Sequence, residues 1–188
     1  MIIKKKIFNL LKQTGFIFII FLISSIQCRS LSNAEKIKMH RQPFIENNIA
    51  FFIPGNWNET KDHYFHFKAV GFAPNGLPAS LEYRGLDFKT LDDKGKDLYA
   101  TGWYEAISKN YPEWKYDSRN KIENDPEGSY EFEGTYKVAT DTYRRIGKLR
   151  FRGKHIHAIY YMALDQDFDS ARQLFNKMDS KIQYNLSK

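Results

Sequence analysis

Apolar residues recur along this chain with two different periods, and the changes of period divide it into elements. Residues 49–53 (IAFFI) form a continuous apolar run stopped by Pro54-Gly55, the pattern of a buried strand ending in a turn. Residues 64–70 (YFHFKAV) and 79–83 (ASLEY) predict two more strands, separated by the turn residues Pro74-Asn75-Gly76. From residue 90 to 110 the period lengthens. Leu91, Leu98, Trp103 (or Tyr99), Ala106 and Ile107 fit one helical stripe, which Gly95 and Gly102 weaken and Pro112 ends.

Residues 129–162 predict an antiparallel meander. A two-residue turn at Thr140-Asp141 sets Val138 opposite Tyr143, Phe132 opposite Leu149 and Tyr130 opposite Phe151 on an apolar face. The same register sets Glu133 against Lys148 and Glu131 against Arg150 on the other face. Gly153-Lys154 makes the next tight turn, after which Ile156, Ala158, Tyr160 and Met162 continue the apolar face. The last helix, capped by Asp165 or Asp167, carries Phe168, Ala171, Leu174, Phe175, Met178 and Ile182 in one stripe. Segment 109–128 is left unassigned, with room for one more strand around residues 114–116.

The amino terminus follows neither period. Lys4, Lys5, Lys6 and Lys12 precede residues 15–26 (GFIFIIFLISSI), a basic start and short apolar run laid out like a secretory signal peptide. Twelve residues fall well short of the roughly 20 needed to span a bilayer as a helix. The chain's one cysteine, Cys28, follows this run directly. That placement predicts a bacterial lipoprotein site, with residues 1–27 removed and acyl chains on Cys28. Ser24-Ser25-Ile26-Gln27 form a loosened version of the usual cleavage pattern, similar to those of spirochaetes. Several acyl chains on one residue would hold the protein stably, where a single chain binds only marginally. Residues 28–43 then read as a lipidated cysteine and polar tether, and residues 44–188 as one folded domain.

Composition changes this picture only in part. The chain of 188 residues has 29 Lys and Arg against 22 Asp and Glu, for a net charge of +7, but the four leading lysines hold over half of it. Beyond residue 27 the charge is near +3, which together with the export signal argues against nucleic acid as a partner. With 15 Phe, 12 Tyr and 3 Trp the chain is too aromatic to stay disordered. A single cysteine excludes an internal disulfide and any CxxC metal or redox motif.

Three local features join the element order. They are an apolar strand running into Pro54-x-x-Trp57; a long hairpin with Phe132-Glu133-Gly134-x-Tyr136; and Tyr160-Tyr161-Met162-Ala163 leading to Asp167-Phe168, then Phe175, Met178, Lys181 and Ile182. Over residues 44–184 the chain thereby resembles the PsbP-like family, which includes the photosystem oxygen-evolving accessory protein, a Ran-binding nuclear-transport factor and many bacterial lipoproteins. The resemblance implies an α+β fold, an α/β/α sandwich with a central antiparallel sheet of about six strands and an amphipathic C-terminal helix. It implies a binding or accessory role and supplies no catalytic residues.

Candidate chemistry is sparse. His155 and His157 lie two apart on a predicted strand and share a face, the start of a zinc, copper or nickel site. A third ligand from His63, His66 or a carboxylate is required. The predicted register sets Arg150 opposite His157 and Arg152 opposite His155, which opposes a cation. The pair therefore reads as hairpin histidines, with no metal expected. His63 and His66, three apart, would point to opposite sides of a strand. Arg144, Lys148, Arg150 and Arg152 make a basic row, read as ion-paired with Glu131 and Glu133 rather than as an anionic-partner surface. Ser108, Ser118 and Ser129 stand in no nucleophile motif, Asp92-Asp93 and Asp165/Asp167/Asp169 read as helix-start acids, and no cofactor motif occurs. Trp57, Trp103, Trp114 and Tyr111 are candidates for a groove, although so aromatic a chain needs most of its rings for its core.

The sequence thus predicts an exported, non-enzymatic lipoprotein of the cell envelope, anchored to a bacterial membrane (the outer one expected) and assisting a protein or envelope partner. A surface adhesin or host-ligand binder, and an envelope hydrolase with an unrecognised site, are the alternatives.

Overall fold

The computed structural model describes residues 37–88, 91–111, 113–166 and 168–186. The basic leader, its apolar run and Cys28 lie outside the described residues, as do Pro112 and Asp167. Among the described residues no helix is long and apolar enough to cross a membrane.

The body contains β1 (Met39–Phe44), β2 (Ile49–Pro54), β3 (Asn58–Thr60), β4 (Phe67–Phe72), β5 (Pro78–Asp87), α1 (Asp93–Asn110), β6 (Lys115–Lys121), β7 (Ser129–Val138), β8 (Asp141–Arg152), β9 (His155–Leu164), α2 (Phe168–Asp179) and β10 (Gln183–Tyr184). Seven strands pair in the order β3-β4-β5-β9-β8-β7-β6, every described pairing antiparallel, and β1-β2-β10 make a small second sheet. This is the expected PsbP-like α+β architecture, with seven strands in the central sheet and a small sheet added.

The sheet's two faces are covered by different elements. On one, Trp103 of α1 packs on Phe132 and Tyr160. On the other, Phe175 of α2 stacks on Tyr161, while Phe44 and Phe51 of the small sheet pack on Phe67 and Tyr83. The central strand β9 is buried over most of its length because both faces are covered.

Several predicted boundaries move. Residues 39–43, read as tether, belong to β1 and pair with β2 from Met39 opposite Pro54 to Phe44 opposite Ile49. The folded domain therefore starts before residue 44. Pro43 in this strand costs no internal ladder bond, since β1 is an edge. The strand predicted from Tyr64 starts at Phe67, because Asp62 accepts the Tyr64 N–H at 2.8 Å and holds residues 62–64 as a turn.

The long hairpin forms two residues out of the predicted register. Ala139 takes a positive φ of 53°, the turn sits at Ala139-Thr140, and Val138 lies opposite Asp141. A shift of two preserves the faces, since side chains alternate with period two. It sets the Tyr136 and Tyr143 rings 5.9 Å apart and lays Phe132 over Gly147, where a Cβ would meet the ring. The segment left open holds β6, whose ladder with β7 is interrupted by a bulge between Tyr116 and Ser118.

Candidate functional site

Helix α1 is capped by Asp92, whose carboxylate accepts the Gly95 N–H at 2.8 Å. Over 18 residues it buries only Ala100, Trp103 and Ile107. Leu98 and Ala106, both placed in the predicted stripe, are exposed, Leu98 by 65%. With so narrow a contact, a cleft of about 730 Å³ remains between α1 and strands β5, β8 and β9, a volume within the range of ligand sites. Its walls are Tyr99, Trp103, Ala106 and Ile107 from α1, Tyr111 just past its end, Leu86, Ala158 and Tyr160 from the sheet, and Tyr64 and Phe65 from the loop before β4.

A buried cation sits among these rings. Arg145 is 1% exposed, and its guanidinium carbon lies 4.2 Å from the centre of the Tyr160 ring and 4.7 Å from that of Tyr111. Its Nη2 donates to Glu82 Oε2 at 2.6 Å, and its Nη1 donates to the Tyr111 hydroxyl. Nε, also buried, has no protein acceptor. Loss of water lowers the pKa of this guanidinium, and Glu82 opposes that shift. Glu82 is shared, because its Oε1 accepts from Lys68 at 2.9 Å. The Tyr160 hydroxyl accepts from Trp103 Nε1 at 2.6 Å; burial raises the pKa of this phenol, and the Trp103 hydrogen bond opposes the rise.

The histidines hold no such position. His155 and His157 do share a face, with ring centres 6.0 Å apart and Arg152 and Arg150 opposite them as the register predicts. Each has a separate partner: His155 Nδ1 lies 2.7 Å from Asp87 and His157 Nδ1 lies 3.1 Å from the Tyr83 hydroxyl. His157 is buried, and its pKa is pushed down to about 3, chiefly by loss of water and further by His155 and Arg152. His63 and His66 fall in the loop before β4, where His66 Nδ1 accepts the Gly85 N–H at 3.2 Å. Among the described residues, no group of three or more His, Cys, Asp and Glu is placed to hold a metal.

The basic row is ion-paired. Arg150 reaches Glu131, Arg152 reaches Asp125 at 2.7 Å, Lys148 reaches Asp179 at 2.7 Å, and Arg144 contacts Asp165, Asp117 and Glu133. Glu133 pairs with Arg172 of α2 at 2.6 Å instead of Lys148, a consequence of the shifted register. Its carboxyl is held below the usual range, first by that Arg172 hydrogen bond.

Of the four candidate groove aromatics, Trp103 and Tyr111 line the cleft. Trp57 is buried elsewhere, donating to the Phe72 carbonyl at 3.2 Å, and Trp114 packs on Phe132 and Tyr136. The sequence reading passed over Arg145, Glu82, Tyr64, Phe65 and Arg84. One signal was available: Arg145 falls in phase with Tyr143, Leu149 and Phe151, a charge on the apolar side of the hairpin.

No protein-family model matches this sequence, and no curated protein sequence is detectably similar to it. Solved structures are similar in fold. The cyanobacterial PsbP protein CyanoP from Synechocystis superposes with a TM-score of 0.60 at 12% identity, covering 79% of this chain and 93% of that one. LpqN of Mycobacterium tuberculosis gives 0.56 at 13% identity, covering 80% and 92%. The Ran-binding protein Mog1p of Saccharomyces cerevisiae gives 0.54 at 9%, covering 79% and 96%. The fold is therefore PsbP-like.

Proposed function

We propose that this chain is a non-enzymatic binding protein of the bacterial cell envelope, lipid-anchored through Cys28, that receives its ligand in the cleft beneath α1. The observation that carries the reading is the cleft itself, an open aromatic-walled space over a buried guanidinium with an unpaired N–H. The fold supports a binding or accessory role, since it is shared with the Ran-binding Mog1p and with LpqN, a protein involved in cell envelope biogenesis. The basic leader, apolar run and adjoining Cys28 support the anchor.

Two experiments test the two halves. Cells fed labelled palmitate carry label on the wild-type protein and none on Cys28→Ala; label persisting on the variant removes the anchor. Ala106→Phe fills the cleft from an exposed position on α1, so compounds that raise the melting temperature of the wild type leave the variant unmoved. Equal stabilisation of both proteins places the binding site elsewhere. Protease treatment of intact cells then separates a periplasmic protein, which survives, from a surface binder, which is cut.

A further inference from the structure

The cleft has a charge sign. Its lining contains two guanidinium groups, Arg145 at the floor and Arg84 exposed at the rim, and no aspartate or glutamate. The acid nearest the floor, Glu82, is divided between Arg145 and Lys68 and does not line the space. Lys68 has a second carboxylate in Asp62 at 3.4 Å, whereas Arg145 has, among the described residues, Glu82 alone, and the Arg145 Nε–H is left buried without an acceptor. Such an orphan donor costs about 1–3 kcal/mol unless something supplies an oxygen. Two of the five guanidinium N–H donors are taken, one on each Nη, and the planar, charged fork that remains suits the two oxygens of a carboxylate. A cationic ligand would meet only like charge.

The rings set the rest of the ligand. Phe65, Trp103, Tyr111 and Tyr160 surround the space with flat apolar surfaces, which favour a planar aromatic body over a flexible chain that loses rotamer freedom on binding. From these features we infer that the cleft binds a small aromatic carboxylate, its ring among these side chains and its carboxylate toward Arg145 and Arg84. The inference rests on the reading of the cleft as the binding site and adds the chemical class of what enters it.

Calorimetric titration of the full-length chain in lipid nanodiscs tests this with four probes: 2-naphthoate, neutral 2-naphthamide, cationic 2-naphthylmethylammonium and ring-free octanoate. Naphthoate is expected to bind at least about tenfold more tightly than the amide, the scale of one charge-assisted hydrogen bond. Octanoate and the cation bind more weakly still. Arg84→Gln, an exposed substitution that leaves the buried pair intact, weakens naphthoate about fivefold and leaves the amide unchanged. Ala106→Phe abolishes both. If acid and amide bind equally and Ala106→Phe blocks them, the anion assignment falls while the cleft remains a site. If octanoate exceeds naphthoate, the aromatic assignment falls. If nothing binds, or Ala106→Phe is without effect, the cleft reading falls together with this inference.

Discussion

On one face of the seven-stranded sheet, the 12-residue α2 seats Phe168, Ala171, Leu174, Phe175 and Met178; on the other, the 18-residue α1 seats only Ala100, Trp103 and Ile107. The shorter helix buries more. Its apolar positions recur at three and four residues along a single stripe, and the small sheet closes the remaining space with Phe44 and Phe51. Helix α1 carries Leu98 outward, turns Ala106 to the cleft, and reaches the sheet through Tyr99, Trp103 and Tyr104. The α2 face is thus built for packing, and the α1 face keeps space and polar groups that a sealed core would exclude. Under the proposed reading the cleft side serves binding, beside a core of Trp103, Phe132, Leu149 and Phe151, and the α2 side serves packing alone.

Substitutions divide accordingly. The largest effect is expected from Phe175→Ala, which empties a fully covered position on the α2 face and costs about 3–5 kcal/mol in urea unfolding, with probe binding in the cleft unchanged. Altered cleft affinity in that variant would break the separation of the faces. Acid is next. His157, also on the α2 face, is neutral when folded because its pKa lies near 3, whereas the unfolded chain protonates near the ordinary imidazole value of 6.5. Its contribution is therefore complete above pH 6.5 and is lost as pH falls toward 3, at up to about 1.4 kcal/mol per unit. Unfolding free energies measured from pH 7 to 4 in wild type and His157→Asn should show the slope flattened in the variant; parallel curves would remove the histidine from the account.

Trp103→Phe loses the hydrogen bond to Tyr160 and widens the cleft, so about 1–2 kcal/mol is expected by thermal unfolding, together with weaker probe binding. Arg172→Gln breaks a partly exposed pair with Glu133 and costs no more than about 1 kcal/mol, less in high salt. Leu98→Glu touches neither face and should stay within about 0.5 kcal/mol of wild type by denaturant midpoint.

Much of this division was legible in the alternation of residues. The meander, the terminal helix and the apolar sides of both were readable because period two and period 3.6 each place large side chains on one face. The two-residue register error escaped notice because it moves no side chain to the wrong face. What decides it is the room above Gly147 for the Phe132 ring, a packing fact. Strand β1 was hidden because MHRQPF shows no apolar alternation, and only Phe44 reaches the rings of the core. The stripe of α1 was misjudged at Leu98 and Ala106 because a helix that covers so little of its sheet leaves apolar residues in water. Half of the aromatic candidates, Trp103 and Tyr111, do reach the cleft. Arg145 was missed since its neighbours Arg144, Lys148, Arg150 and Arg152 suggested a row of cross-strand ion pairs, while Arg145 alone points to the opposite side. Its partner Glu82 lies 63 residues away, a distance over which pairing cannot be read from one sequence.

The bulge in β6 has a bearing on how copies of this protein meet. Strand β6 ends the large sheet, and Lys115, Asp117, Arg119 and Lys121 are exposed along it. An approaching strand would find an interrupted ladder and a row of charged side chains to desolvate. Copies held side by side by the proposed lipid anchor would meet far more often than the same number free in solution. An edge of this kind allows such crowding without the sheets fusing into fibres.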